Sequence, residues 1–192
     1  MKRDQAITKP IRSSFLSCEK DAETIIKKLF VSSRPYSDQL KRLLVLNTKD
    51  CLDDSNKSYT KIVENTTVKE LVEGKYITLI PKLKMKEHEE VKSYIIISFD
   101  NFIPTSNPEY RDCTVHFDII CHTDYWDLGN YQLRPIKIAG IIDGILNNSK
   151  LSGIGTLQFA GMEEVVYSED LSGYTIMFVA THGNDDNLPS ED

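Results

Sequence analysis

Apolar residues recur at the spacing of one helix face in two long stretches, and two shorter segments between them carry helix signals. Thr67 and Glu70 have the spacing of a capping box, with Gly74 placed to end that helix. Ser37 is a suitable N-cap for another helix, whose run 43–46 also fits a strand. The predicted helices are 13–30, 38–46, 68–73 and 133–147.

The first and last of these helices have a continuous apolar stripe that predicts burial. In the first helix the stripe is Ala22, Ile25, Ile26, Leu29 and Phe30. In the last helix, which has Pro135 in its first turn, it is Ile138, Ile141, Ile142, Ile145 and Leu146. Gly140 and Gly144 on this helix are expected to allow close packing against a sheet.

β-branched and aromatic residues predict strands over most of the remaining chain. In the third strand the buried side is expected to carry Cys113, Val115, Phe117, Ile119 and Cys121, opposite a more polar side. The charged segment 84–90 predicts the tip of a hairpin, and Ala160 with Gly161 predicts a bulge. The predicted strands are 75–83, 91–99, 110–122, 156–167 and 173–181.

This order, helix, strands, helix and two strands, predicts an α+β fold with a mainly antiparallel sheet and helices packed on one face. We expect a single domain over 14–182. The polar stretch 47–65 predicts a long surface loop, within an insertion over about 47–74. Residues 1–13 are expected to form a flexible arm, and 183–192 a disordered acidic tail.

The net charge of −6 over 192 residues argues against a surface that binds a nucleic-acid backbone, which requires clustered Lys and Arg. The first ten residues lack the apolar core of a secretion signal, and no apolar run is long enough to span a bilayer. None of the four cysteines forms a C-x-x-C pair. We therefore expect reduced thiols in a cytosol.

The densest group of metal-ligand residue types lies in the third strand. Alternation along that strand places Cys113 and Cys121 on its apolar side, and His116, Asp118 and His122 on the other. Residues on opposite faces of a strand do not converge on one ion. The interpretation is two buried structural cysteines and two histidines on the solvent side, with no metal and no cofactor.

Three groups of charged residues have the composition of a catalytic site but lack its other parts. The pairs Asp124 with Asp127 and Glu163 with Glu164 have no accompanying nucleophile or phosphate-binding loop. Asp100, Asp118 and Lys137 lack the spacing of a nuclease site. We therefore predict no catalytic residue. Aromatic residues, which are frequent at interface hot spots, predict a protein contact surface instead; these are Tyr125, Trp126, Tyr131 and Tyr174.

The C-terminal half resembles the tail terminator and neck proteins of long-tailed bacteriophages. The segment 110–122 leads through a turn with Trp126 to the helix 133–143, followed by 151–159 and the closing strand 173–183. The resemblance extends over about 76–183. It leaves 35–74 unexplained, and we interpret that segment as an insertion facing a neighbouring subunit.

This resemblance implies a homo-oligomeric ring, expected to be a hexamer, at the head–tail junction of a virion. The ring would terminate the tail tube and join it to the connector, so its partners would be tail tube and connector proteins. It implies assembly in the host cytoplasm, no cofactor, no membrane contact, and passage of DNA without specific binding. Two alternatives stay open: a cytosolic protein-binding adaptor module, and a metal-dependent hydrolase or nuclease.

Overall fold

The computed structural model describes residues 18–79, 92–106 and 110–183. In this part of the chain the helices are α1 (Cys18–Phe30), α2 (Tyr36–Val45), α3 (Lys57–Asn65), α4 (Val68–Glu73) and α5 (Arg134–Leu146). The strands are β1 (Ile77–Thr78), β2 (Ser93–Pro104), β3 (Tyr110–His122), β4 (Lys150–Leu151), β5 (Gly155–Thr156), β6 (Gln158–Val166) and β7 (Leu171–Gly183).

Five of these strands form one sheet in the order β1-β2-β3-β7-β6. All neighbours are antiparallel except β1 and β2, which run parallel. The short strands β4 and β5 pair with each other in a separate ribbon. The predicted α+β class with a mainly antiparallel sheet is confirmed.

The helices cover one face of this sheet, and the main core lies between the two layers. The third strand has the predicted bounds, and its five predicted core residues from Cys113 to Cys121 are all buried. Phe117 of β3 meets Phe178 of β7 edge to face at 5.7 Å between ring centroids. The predicted stripes of α1 and α5 are also buried in this core.

A smaller cluster lies on the opposite face of the sheet. Tyr94, Ile96, Ile120 and Leu171 are fully buried there, with Val165 and Tyr167 packed against them. On the rest of that face β3 places polar residues such as Thr114 and His116, as its alternation predicts, while β7 adds Met177 and Val179.

Arg134, the first residue of α5, is 0% exposed, and its guanidinium joins three parts of the fold. It donates to the carbonyls of Leu43 and Leu46 at the end of α2, at 2.6 and 2.9 Å. It also donates to the carbonyl of Thr48 at 2.7 Å and to that of Tyr125 at 2.8 Å. These bonds fix α2 and the turn after β3 against α5.

The segment 35–74 is part of the core and so is not an insertion outside it; that it faces a neighbouring subunit stays a prediction. Leu40, Leu43, Cys51 and Leu71 are fully buried in the main cluster. The predicted loop 47–65 is also wrong in its second half, which is helical.

Helix α3 has no recognisable apolar stripe in the sequence, because Val63 is its only buried residue. Its start is fixed by Asn56, whose side chain accepts from the amides of Ser58 and Tyr59 at 3.1 and 3.4 Å. The capping box of Thr67 and Glu70 ahead of α4 is confirmed.

Two further local predictions need correction. Helix α2 begins at Tyr36, and Ser37 is not its cap: the buried Ser37 hydroxyl accepts from the amide of Ser33 at 3.2 Å. The strands around 84–90 do not form a hairpin, because Ile77 and Thr78 pair in parallel with β2. Residues 80–91 themselves lie outside the described part of the chain, as do 1–17 and 184–192.

The remaining differences are in strand ends. Strand β2 continues to Pro104, beyond the predicted end at residue 99. Residues 155–156 belong to the small ribbon, so the predicted strand 156–167 shortens to Gln158–Val166. The predicted bulge is confirmed by a register shift between Phe159 and Gly161.

Replacing Arg134 with Met is expected to lower the free energy of unfolding by about 3 kcal/mol, because it leaves several buried carbonyls without donors. Urea unfolding followed by circular dichroism measures this. The control is Arg34→Met, which removes an exposed guanidinium and is expected to change stability by less than about 0.5 kcal/mol. Equal stability of the two variants would show that the guanidinium does not fix the helices.

Candidate subunit interface

Among the described residues, strand β6 forms one edge of the sheet and pairs with β7 on one side only. Helix α5 packs over β3 and β7 and meets β6 at the start of the strand, where the side chain of its C-cap residue Asn147 accepts from the amide of Phe159 at 3.2 Å. Most residues of this nine-residue strand are exposed, on both of its faces. An edge strand of this length presents a row of backbone donors and acceptors to any strand that approaches it.

The side of β6 that faces the helical layer is largely apolar. Register with β7 places Phe159, Met162, Glu164 and Val166 on this side, and we call these four residues the edge strip. Val166 is 69% exposed and Phe159 46%. Phe159 also packs edge-on to the buried Phe178, at 6.2 Å between ring centroids, so the strip is continuous with the core.

The hairpin that carries the edge strip is acidic. From 158 to 183 the sequence contains four carboxylates and no Lys or Arg. The carboxylates are Glu163, Glu164, Glu169 and Asp170. A partner for this edge must therefore offer apolar area together with neutral or positive charge.

Two of the four predicted interface aromatics, Trp126 and Tyr174, pack together beside this edge, whereas the ring of Tyr125 packs on His122 at 6.3 Å between centroids. The Trp126 indole donates to the carbonyl of Cys121 at 3.2 Å and packs on Tyr174 at 6.2 Å between centroids. Tyr174 pairs in register with Glu164 of the edge strip. Tyr125 precedes Trp126, and its carbonyl accepts from Arg134. Trp126 is half-buried and packs against the main core. It therefore supports Tyr174, the neighbour of the edge strip, and also lies at the border of the exposed edge.

Tyr131 lies elsewhere. It is fully exposed, at 106% relative accessibility, with a backbone φ of 62° in the turn before α5. This turn is closed by a bridge between Asp127 and Leu133. Lys49 bonds to Asp127 at 2.6 Å, and this hydrogen bond is the main reason that the pKa of Asp127 is lowered. The predicted interface residues therefore lie on two surfaces, not one.

The second surface is a groove of about 600 Å³ between the start of α2 and the outer side of α5. We call it the α5 groove. Its lining includes Tyr36, Tyr131, Leu133, Ile136, Lys137, Gly140 and Gly144.

The prediction for Gly140 and Gly144 is wrong. Both glycines face outward, and a Cβ added to either would meet nothing within 4 Å. Sequence reasoning missed the groove, although Gly140 and Gly144 with Ile136 fall on the helix side opposite the buried stripe.

The Cys/His group of β3 is divided between the two faces of the sheet. Cys113 and Cys121 are buried in the main core, and burial raises the pKa of Cys121 to about 11. On the other face His116 Nε2 lies 2.9 Å from Asp100 Oδ1. Among the described residues, no three His, Cys, Asp or Glu side chains are placed to hold a metal ion.

Asp118, on the same polar face, is held by its neighbours. It accepts from the Thr175 hydroxyl at 2.7 Å and lies 3.4 Å from the Tyr167 hydroxyl. Burial, followed by the charge of Asp118, raises the pKa of Tyr167 to about 12.

Two of the charged groups that were considered as catalytic sites do not come together in the structure. Lys137 lies on α5, across the sheet from Asp100 and Asp118. Glu163 and Glu164 point to opposite faces of β6.

Trp126→Phe is expected to lower the free energy of unfolding by about 2 kcal/mol, because it removes a hydrogen bond and part of a packed ring. Tyr131→Leu, at a fully exposed aromatic in the same connection, is expected to change it by less than about 0.5 kcal/mol. Denaturant titration of both variants measures the difference. If Trp126→Phe unfolds at the wild-type denaturant concentration, its support of the edge is contradicted.

Of the helices in the described residues, none has both the length and the apolar content needed to cross a bilayer. No curated protein matches this sequence. A model of the YomW family matches residues 37–180, well over half of the 192 residues, from the start of α2 to the last strand. The chain belongs to the YomW family.

Proposed function

We propose that this chain is a structural virion protein that forms a homo-oligomeric ring, expected to be a hexamer, at the head–tail junction of a phage. The ring terminates the tail tube and joins it to the connector. The exposed edge of β6 is the observation that carries this proposal, because a ring needs a surface by which each copy binds the next.

Several features of β6 are those of a strand that meets another protein. Monomeric proteins commonly protect a long edge with Lys or Pro, which β6 lacks, and its bulge between Phe159 and Gly161 and its two glutamates restrict which surfaces can approach it. Its edge strip exposes apolar area next to the Trp126–Tyr174 pair, and aromatic residues are enriched where proteins bind one another.

The partners and place of action come from the resemblance to tail terminator and neck proteins. In this fold the strand of that resemblance is β3, its helix is α5 and its closing strand is β7. The Trp126 turn lies between β3 and α5. The proposed partners are further copies of the chain, the tail tube protein and the connector proteins. The proposed location is the virion, after assembly in the host cytoplasm.

Val166→Lys is expected to abolish ring formation, because it places a charge on the most exposed apolar residue of the proposed contact. Light scattering after size exclusion and negative-stain images of the wild type should show rings, and those of the variant monomers. Val72→Lys is the matched control: Val72 is an exposed valine on α4, and its variant should form rings. A wild-type protein that stays monomeric at high concentration, with or without tail tubes, contradicts the proposal and favours an adaptor module.

The polar face of the sheet has the charge expected of a channel that DNA passes through. On the described strands this face carries Asp100, Asp112, Asp118 and Glu163, with no Lys or Arg. Negative charge repels the DNA backbone, so the genome would slide past without binding. We therefore propose that the part of this face around Asp100 and Asp112 points into the ring.

Neutralising this face is expected to slow DNA passage severalfold, because DNA would be held more closely to the channel wall. The test is a phage whose copies carry Asp100→Asn, Asp112→Asn and Glu163→Gln, with DNA release followed by dye fluorescence. The control removes the same charge from α1, α3 and α4 with Glu19→Gln, Glu64→Gln and Glu73→Gln. Unchanged release from normal particles would contradict this orientation of the sheet.

A further inference from the structure

The acidic hairpin cannot easily pair with its own copy. If two β6 edges met with the two glutamates near the centre of the contact, Glu163 and Glu164 of one copy would lie close to the same carboxylates of the other. Like charges placed together across an interface are strongly unfavourable. The edge strip therefore requires a different surface as its partner.

The α5 groove has the properties that this partner needs. Its walls expose Leu133 and Ile136, and among the described residues that line it Lys137 alone is charged. The floor at Gly140 and Gly144 has no side chains, so another backbone can approach α5 closely. The groove thus matches the edge strip in apolar character and is opposite to it in charge.

The two surfaces also lie on different parts of the molecule. The edge strip is at the β6 edge of the sheet, whereas the groove is on the outer side of the helical layer, next to α2. Contact between unlike surfaces of identical chains is heterologous, and repeated contact of this kind closes into a ring when the rotation between neighbouring copies divides a full turn. An edge-to-edge contact would instead stop at a dimer.

We propose that the α5 groove of each copy receives the edge strip of the next copy, with Lys137 facing Glu164. This inference rests on the proposed ring and names the second half of its contact. The occupant of the groove is therefore a second copy of this chain.

Mixing two variants tests the contact directly. Gly140→Glu fills the groove with a charged side chain but leaves the edge strip intact, whereas Val166→Lys damages the strip but leaves the groove intact. Each variant alone is expected to be monomeric. Their mixture is expected to form one-to-one heterodimers and no rings, because only one productive contact remains.

Gly140→Ala is the matched control for the groove variant, because it keeps the helix and adds only a methyl group. It should weaken the rings without abolishing them, because a methyl group on the floor of the groove holds the neighbouring backbone only slightly further from α5. Circular dichroism should show that all variants are folded, since Gly140 has free space around its Cα.

A charge exchange checks the pairing of residues. Lys137→Glu and Glu164→Lys should each shift the ring population to monomers, and the double variant should restore rings. A structural role of either residue within one copy would not give this restoration.

The outcomes separate this contact from the ring itself. Rings formed by Gly140→Glu, a mixture that stays monomeric, or no rescue by the charge exchange would overturn the pairing of groove and strip. Rings formed by Val166→Lys would instead contradict the edge contact on which the proposed function depends.

Discussion

The architecture depends on one buried guanidinium. Arg134 is wholly inside the protein and has four backbone carbonyls as its hydrogen-bond acceptors. Two of them, from Leu43 and Leu46, belong to the end of α2, where the helix dipole favours a positive charge. The side chain therefore ends one helix, begins another and holds the turn of Trp126. Without it, these three elements would have no common polar anchor.

This anchor determines which surfaces remain open. Because α2 is tied to the start of α5, the two helices meet at a fixed position, and the groove between them has a defined shape. The same layer covers β2, β3 and β7 but leaves most of β6 exposed. The open edge and the groove are thus two consequences of one arrangement, and both lie within the span that the YomW family model matches.

The sequence predicted the elements whose burial is regular. Alternation along β3 and the apolar stripe of α5 depend only on local periodicity, so their bounds and core residues were predicted well. Helix α3 was missed because its stability comes from the Asn56 cap, and a single buried Val63 produces no pattern. The role of Arg134 was not predictable, because its acceptors in α2 and in the loop after α2 lie 86 to 91 residues away in the sequence. Nor could the sequence show that Tyr131 is separated from Trp126 by the fold.

Gly140 and Gly144 show why a sequence motif has to be placed on a face before it is interpreted. Glycine in a helix interior is less favourable than alanine by about 1 kcal/mol at each position. Inside one copy nothing offsets this, since alanine would fit at both sites without a contact. In the proposed ring the compensating gain comes from outside the subunit, where a bare helix surface lets another backbone approach. The strand edge that lacks a partner and the helix that is bare at its centre are therefore best explained together.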